Sequence, residues 1–159
     1  MNNVEINMTE TPEAMEWPET HYVYVEKQGP FHQTARECWT ELMTALPNFL
    51  SSNELAIKSR FATFKLQPDQ IYRAGISLNT TPKDLSPGFE YCRLEGGKYV
   101  KFVLTGSYMG LPQAYTRALE IIQEQKITIR EAFYIEHYVN DMSITPENEL
   151  VTHIMIPVH

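Results

Sequence analysis

Apolar and polar positions alternate along HYVYVEKQ (21–28), with β-branched and aromatic side chains prominent, and the pattern predicts a strand that Gly29-Pro30 stops. The spacing then changes. Ala35, Trp39, Leu42, Met43 and Leu46 recur at helical intervals and predict a helix over about 33–46. Thr34 and Glu37 occupy capping-box positions, and Asn48 with Ser51-Ser52-Asn53 marks the exit. RFATFKL (60–66) and QIYRAGISL (70–78) predict a strand pair around a Pro68-Asp69 turn. After a loop over about 79–88 the series starts again. FEYCRL predicts a strand ending in two glycines, and KYVKFVLT (98–105) another, stopped by Gly106. A second helix is predicted over about 111–125, with Leu111, Ala114, Tyr115, Ala118, Ile121 and Ile122 on its apolar face. Two more strands follow over 130–140 and 150–158, joined by a turn-rich stretch with Pro146.

The element order is strand, helix, strand, strand, twice. An offset of 77 residues (99 − 22 = 77) places Tyr22 on Tyr99, Val23 on Val100, Gly29 on Gly106 and Leu42 on Leu119, and sets Phe31 on Tyr108. The expectation is an α+β fold made of a duplicated β-α-β-β unit, one copy over about 19–87 and the other over about 88–159, in a single domain. Residues 1–18, polar and acidic with Pro12 and Pro18, are expected to be a loose arm.

Composition narrows the function. A chain of 159 residues, 43% hydrophobic and 21% charged, suits one folded domain. A net charge of −7 without a basic stripe argues against nucleic acid and weakly favours cations. Cys38 and Cys92 are far apart and are expected to be reduced, with no metal knuckle. No apolar leader or membrane-length run is present, so a cytoplasmic location is expected.

Catalytic and phosphate-binding motifs are missing, so no catalytic residue, metal or cofactor is assigned. His137 and His153 fall on neighbouring predicted strands, as a ladder pair more than a metal site. Nine tyrosines, seven phenylalanines and two tryptophans carry more information. Phe31, Tyr91, Tyr99 and Tyr108 sit at strand ends or glycine turns, and Trp39 on the first helix. Within FYIEHYV (133–139), Tyr134, Glu136 and Tyr138 share one strand face. Periodicity alone turns that face to water. The alternative is a cavity in which a ligand cation partners Glu136 and the rings add about 0.5–2 kcal/mol of cation–π attraction.

The second half, GGKYVKFVLTGSY, LPQAYTRALEIIQ, REAFYIEHYVND and PENELVTHIMIPV, resembles the GyrI-like domain, also called the bacterial transcription-activator effector-binding domain. The first half is similar more weakly, through HYVYVEKQGPF, Trp39 and YRAGISL. The resemblance implies pseudo-twofold symmetry, with curved antiparallel sheets around a central groove flanked by two helices. It implies a pocket for bulky, aromatic, often cationic small molecules, with Glu136 at its floor and Tyr108 as a wall. Met155 stands where drug sensors can carry an aromatic, and His153 where many members carry an acidic residue. The pattern of aromatic positions, and not the family motif, adds Phe31, Trp39, Tyr72 and Tyr91 to the expected ligand contacts, and the shared strand face adds Tyr134 and Tyr138. Regulators that the sequence resembles attach this module to a helix-turn-helix; no such segment is read in the sequence, and either sequestration of a ligand or sensing through a partner protein is expected. The alternatives it carries are a hydrolase of strained-ring toxins using Glu136 and Tyr108 or Tyr134, a gyrase-inhibitor-like interaction module, and a haem-binding relative.

Overall fold

The computed structural model describes residues 5–159, and over them the two hydrophobic periods become nine strands and two α-helices. In chain order these are β1 (Asn7–Met8), β2 (Glu13–Trp17), β3 (Thr20–Gln28), α1 (Phe31–Asn53), β4 (Ser59–Lys65), β5 (Ile71–Leu78), β6 (Glu90–Leu94), β7 (Gly97–Thr105), α2 (Leu111–Glu124), β8 (Tyr134–Tyr138) and β9 (Val151–Pro157). Short 3-10 turns precede α2 at Tyr108–Gly110 and β9 at Glu147–Glu149. The expected α+β class is the class found, with antiparallel ladders. Two compact units divide the chain: one is Pro18–Gly97, and the other joins the residues up to Trp17 to Lys98–His159.

In the unit Pro18–Gly97 the strand order is β4-β5-β3-β6. Tyr22, Val23, Tyr24 and Val25 are all buried, so β3 is covered on both faces. Tyr22 stacks on Phe61 with ring centroids 4.5 Å apart, and its hydroxyl donates to the Phe61 carbonyl at 3.1 Å. The other face of the sheet meets α1, which lies against β3 and β5. This helix runs well past position 46, through Pro47, because its buried stripe continues from Leu42 and Leu46 to Phe49 and Asn53. Burial along that stripe outweighs the one N–H donor lost at Pro47. Asn53, read in the sequence as an exit marker, is itself buried. Its amide donates to the Phe49 carbonyl at 2.9 Å, and its Oδ1 accepts the N–H groups of Lys83 and Asp84 at 2.8 and 2.9 Å. The loop after β5 is thus tied to the helix end. Thr34 is not a cap. The helix starts at Phe31, and the Thr34 hydroxyl bonds back to the Pro30 carbonyl at 3.2 Å.

In the other unit β7 pairs with β9, β9 pairs with β8, and β1 and β2 both add to β7. The stretch expected to be a loose arm therefore holds two strands; residues 1–4 of it lie outside the described residues. Local sequence gives a two-residue strand no partner, and β7 supplies one through Thr105 and Leu104, far along the chain. Ala114, Ala118, Ile121 and Ile122 are the buried side of α2, as its periodicity predicts.

The 77-residue offset reaches further than the aromatic matches. It carries β2 onto β6 (90 − 13 = 77). β2 precedes β3 in sequence but pairs with β7, and β6 precedes β7 but pairs with β3. β6, grouped by sequence with the second half, thus belongs to the first unit. Gly29 and Gly106 share the offset and also a backbone conformation, with φ of 129° and 123°. Only glycine adopts that conformation readily, which is why each strand-to-helix turn is built on one.

Candidate functional site

β8 carries three of the expected site residues. Tyr134, Glu136 and Tyr138 share a face, as the pleat requires. That face is not turned to water: Tyr134 and Glu136 are buried, with Glu136 8% exposed, and Tyr138 is half-buried. Both carboxylate oxygens are used. Tyr115, from α2, donates its hydroxyl to Glu136 Oε1 at 3.0 Å, and Tyr138 donates to Oε2 in a short hydrogen bond. Tyr108, in the 3-10 turn after Gly106, sets its ring edge-on to Tyr138 with centroids 5.4 Å apart.

The electrostatics follow from this arrangement. Burial pushes the Glu136 carboxyl above the usual carboxylate range, and the hydrogen bonds from Tyr138 and Tyr115 pull it part of the way back. No basic side chain forms an ion pair with it among the described residues. The result is a buried acid held by two phenols.

Tyr115 is the member that sequence reasoning missed. Its place on the apolar stripe of α2 reads as core. The available signal was its hydroxyl, since a phenol on a buried stripe requires a partner.

Met155 is not part of this cluster. Cross-strand register pairs Glu136 with Ile154 and Ile135 with Met155, so Met155 lies on the opposite face, 1% exposed, in the core. Phe31, Trp39 and Tyr72 form a cluster within the unit Pro18–Gly97. Trp39 Nε1 donates to the Tyr72 hydroxyl at 2.8 Å, and the Phe31 ring lies 5.8 Å from that of Tyr72. Tyr91 stands apart from them. It pairs with Val23 while Tyr72 pairs with Lys27, four residues or about 13 Å along β3. Its hydroxyl hydrogen-bonds His21 Nδ1 at 2.7 Å and Thr81 Oγ1 at 3.2 Å.

His137 and His153 do meet. They are register partners across β8 and β9, with ring centroids 5.7 Å apart, on the face opposite Glu136. Trp17 packs edge-on to His137 at 5.9 Å, and Lys101 nearby pairs with Glu13 at 3.3 Å. No group of three or more metal-ligating side chains occurs among the described residues. Burial, then Lys101 and His137, lowers the His153 pKa to about 4, against a small opposing effect of Glu13; burial and Lys101 also lower that of His137. A histidine held neutral in the fold and free to charge when unfolded takes up protons on unfolding between pH 6.5 and about 4. Stability contributed by His153 is therefore present above pH 6.5 and lost as pH falls toward 4. Urea unfolding at pH 7 and pH 4.5 is expected to show a larger acid loss for the wild type than for His153→Gln; equal losses would refute the assignment.

Comparison with known proteins adds the family. The family described as the GyrI-like small molecule binding domain matches residues 10–159. No curated protein matches the chain in sequence. Among solved structures, the EcmrR C-terminal domain superposes with a TM-score of 0.74 at 14% identity, covering 98% of this chain and 99% of that one. Against the EcmrR chain in complex with DNA the TM-score is 0.76 at 14% identity, over 94% of this chain, which spans only 57% of that one. The protein SAV2435, solved bound to tetraphenylphosphonium, superposes with a TM-score of 0.68 at 15% identity, over 94% of each chain. A hydrolase from Listeria innocua does so with 0.60 at 11%, covering 94% of this chain and 92% of that one. At these identities the likeness is one of fold. No helix of the described residues is long and apolar enough to cross a membrane.

Proposed function

The chain belongs to the GyrI-like family of small-molecule-binding domains, and from that premise we propose that it binds bulky aromatic cations at the cluster of Glu136, Tyr108, Tyr115 and Tyr138. The observation that carries the reading is the buried Glu136 carboxylate, whose hydrogen-bond partners are two tyrosines. A buried carboxylate gains most from a partner of opposite charge. The tyrosine rings suit that partner twice, as apolar surface for aromatic groups and as π faces for a delocalised cation. A soft organic cation with little hydration to lose is favoured over an ammonium or a metal ion.

Binding is coupled to protonation. Below its raised pKa the Glu136 carboxyl is neutral and offers a cation nothing; above it the charge is present. Affinity for a cation therefore rises with pH through that pKa and falls in acid. Calorimetric titration with tetraphenylphosphonium and with neutral triphenylphosphine oxide checks this. The phosphonium is expected to bind at least about tenfold more tightly at pH 8, and to lose affinity on acidification while the oxide does not. Equal affinities, with no pH dependence, would rule out the glutamate as selector.

A second reading rests on the same carboxyl, bonded to Tyr115 and Tyr138 where the sequence expectation named Tyr108 or Tyr134. A carboxyl with a raised pKa bonded to a tyrosine suits general acid–base hydrolysis, and one protein of this fold is a hydrolase. Mass spectrometry of a strained-ring electrophile after incubation discriminates: conversion that is lost in Glu136→Gln supports hydrolysis, and unchanged compound opposes it.

A further inference from the structure

Beside Tyr108 lies a cavity of about 240 Å³, walled by Tyr108, Met109, Met142, Thr145 and Leu150, with Glu147 on its lining. Leu150 is 4% exposed, whereas Met109 and Met142 are 82% and 66% exposed, and Ile144, next to Thr145, is 83% exposed. Three large apolar side chains in water over two neighbouring segments are unusual for a surface whose other apolar residues are mostly packed, and such patches mark binding sites. The segment that carries Met142 is pinned at both ends. Asn140 donates to the Glu149 carbonyl at 2.9 Å and accepts the Val151 N–H at 2.9 Å, and Asp141 holds Ser143 through its N–H and hydroxyl. The methionines are thus presented by fixed backbone on flexible, unbranched side chains, which adapt to ligands of differing outline.

Tyr108 belongs to both places. It walls the cavity, and its ring contacts Tyr138, which donates to Glu136. The cavity is smaller than the roughly 300–1000 Å³ of a complete ligand pocket. It suits one aromatic ring or a short alkyl arm. We infer that this cavity is an apolar subsite continuing the Glu136 site past Tyr108, that it takes a ring or alkyl arm of the same cation, and that Met109 and Met142 fold over that arm. The inference rests on the binding reading above and extends it: the ligands selected are cations with at least one apolar group projecting beyond the charged centre, and compact cations gain nothing from the subsite.

Two probes and two variants test it. Tetraphenylphosphonium has rings to spare, whereas trimethylphenylphosphonium places a single ring and its charge at the Glu136 cluster. Met109→Ser combined with Met142→Ser changes exposed side chains only, and an unaltered melting temperature verifies the fold. The double variant is expected to bind tetraphenylphosphonium about tenfold more weakly and trimethylphenylphosphonium within about twofold of wild type, whereas Glu136→Gln weakens both. Wild-type affinity of the double variant for tetraphenylphosphonium, with Glu136→Gln still weakened, overturns the subsite and leaves the Glu136 reading standing. An equal loss for both probes also overturns it, because the methionines would then act on the whole site. If the wild type binds neither probe, the Glu136 reading fails and the subsite with it.

Discussion

Glu136→Gln is expected to weaken tetraphenylphosphonium binding by about 2 kcal/mol, roughly thirtyfold, while leaving the empty protein at least as stable as the wild type. The two effects have one cause. In the empty protein the Glu136 carboxyl is 8% exposed and bonded to Tyr115 and Tyr138, with no ion-pair partner among the described residues. Ionising it there is costly, which is why burial raises its pKa. Glutamine keeps the shape and can still bond both hydroxyls, accepting from one and donating to the other, without that cost. Near neutral pH the variant should therefore unfold at an equal or higher urea concentration. With a cation bound the balance reverses, because the carboxylate has gained a partner of opposite charge. Titration calorimetry and urea unfolding on the same preparation measure both. A variant that binds as tightly as wild type refutes the role of Glu136 in selection. One that loses affinity and stability together points to a structural role instead.

The second large effect is on stability. Gly75 lies on β5 under the ring of Tyr22, and a Cβ at this position would fall 2.3 Å from Tyr22 Cε1 and 2.5 Å from Cζ. The ring has nowhere to go. It is fully buried, stacked on Phe61 and hydrogen-bonded to the Phe61 carbonyl, with Thr63 also donating to its hydroxyl at 3.4 Å. Gly75→Ala is expected to cost about 3 kcal/mol, at the upper end for one added methyl in a packed interior. The urea midpoint should fall by about 1 M or more. Adding Tyr22→Leu should recover part of the loss, so that the double variant is more stable than the sum of the two single effects. A Gly75→Ala protein as stable as the wild type would show that β3 and β5 can separate freely, contrary to the packing described.

The elements were legible in the sequence wherever the apolar period belonged to one segment. The strand at 21–28, the face of α2 and the shared face of Tyr134, Glu136 and Tyr138 all follow from spacing. The boundaries of α1 were less so. Pro47 and Asn48 look like terminators, and only the burial of Phe49 and Asn53 explains why the helix continues to Asn53. The strands at Asn7–Met8 and Glu13–Trp17 were not legible at all, because their partner is β7 and not a neighbour in sequence.

The site divides the same way. Sequence by itself determined which side chains lie on one face of β8, because the period of a strand is a local property. It determined the glycine turns that set Tyr108 and Phe31 at the starts of helical segments. It could not determine which side of that face is covered, and periodicity alone turned Glu136 toward water. Burial belongs to the packed chain: α2 brings Tyr115 onto the carboxylate, and register places Ile154 beside Glu136 and turns Met155 away. The energy of a buried carboxylate depends on solvent excluded by distant segments, so tertiary structure alone decided that Glu136 would be a buried acid held by two tyrosines.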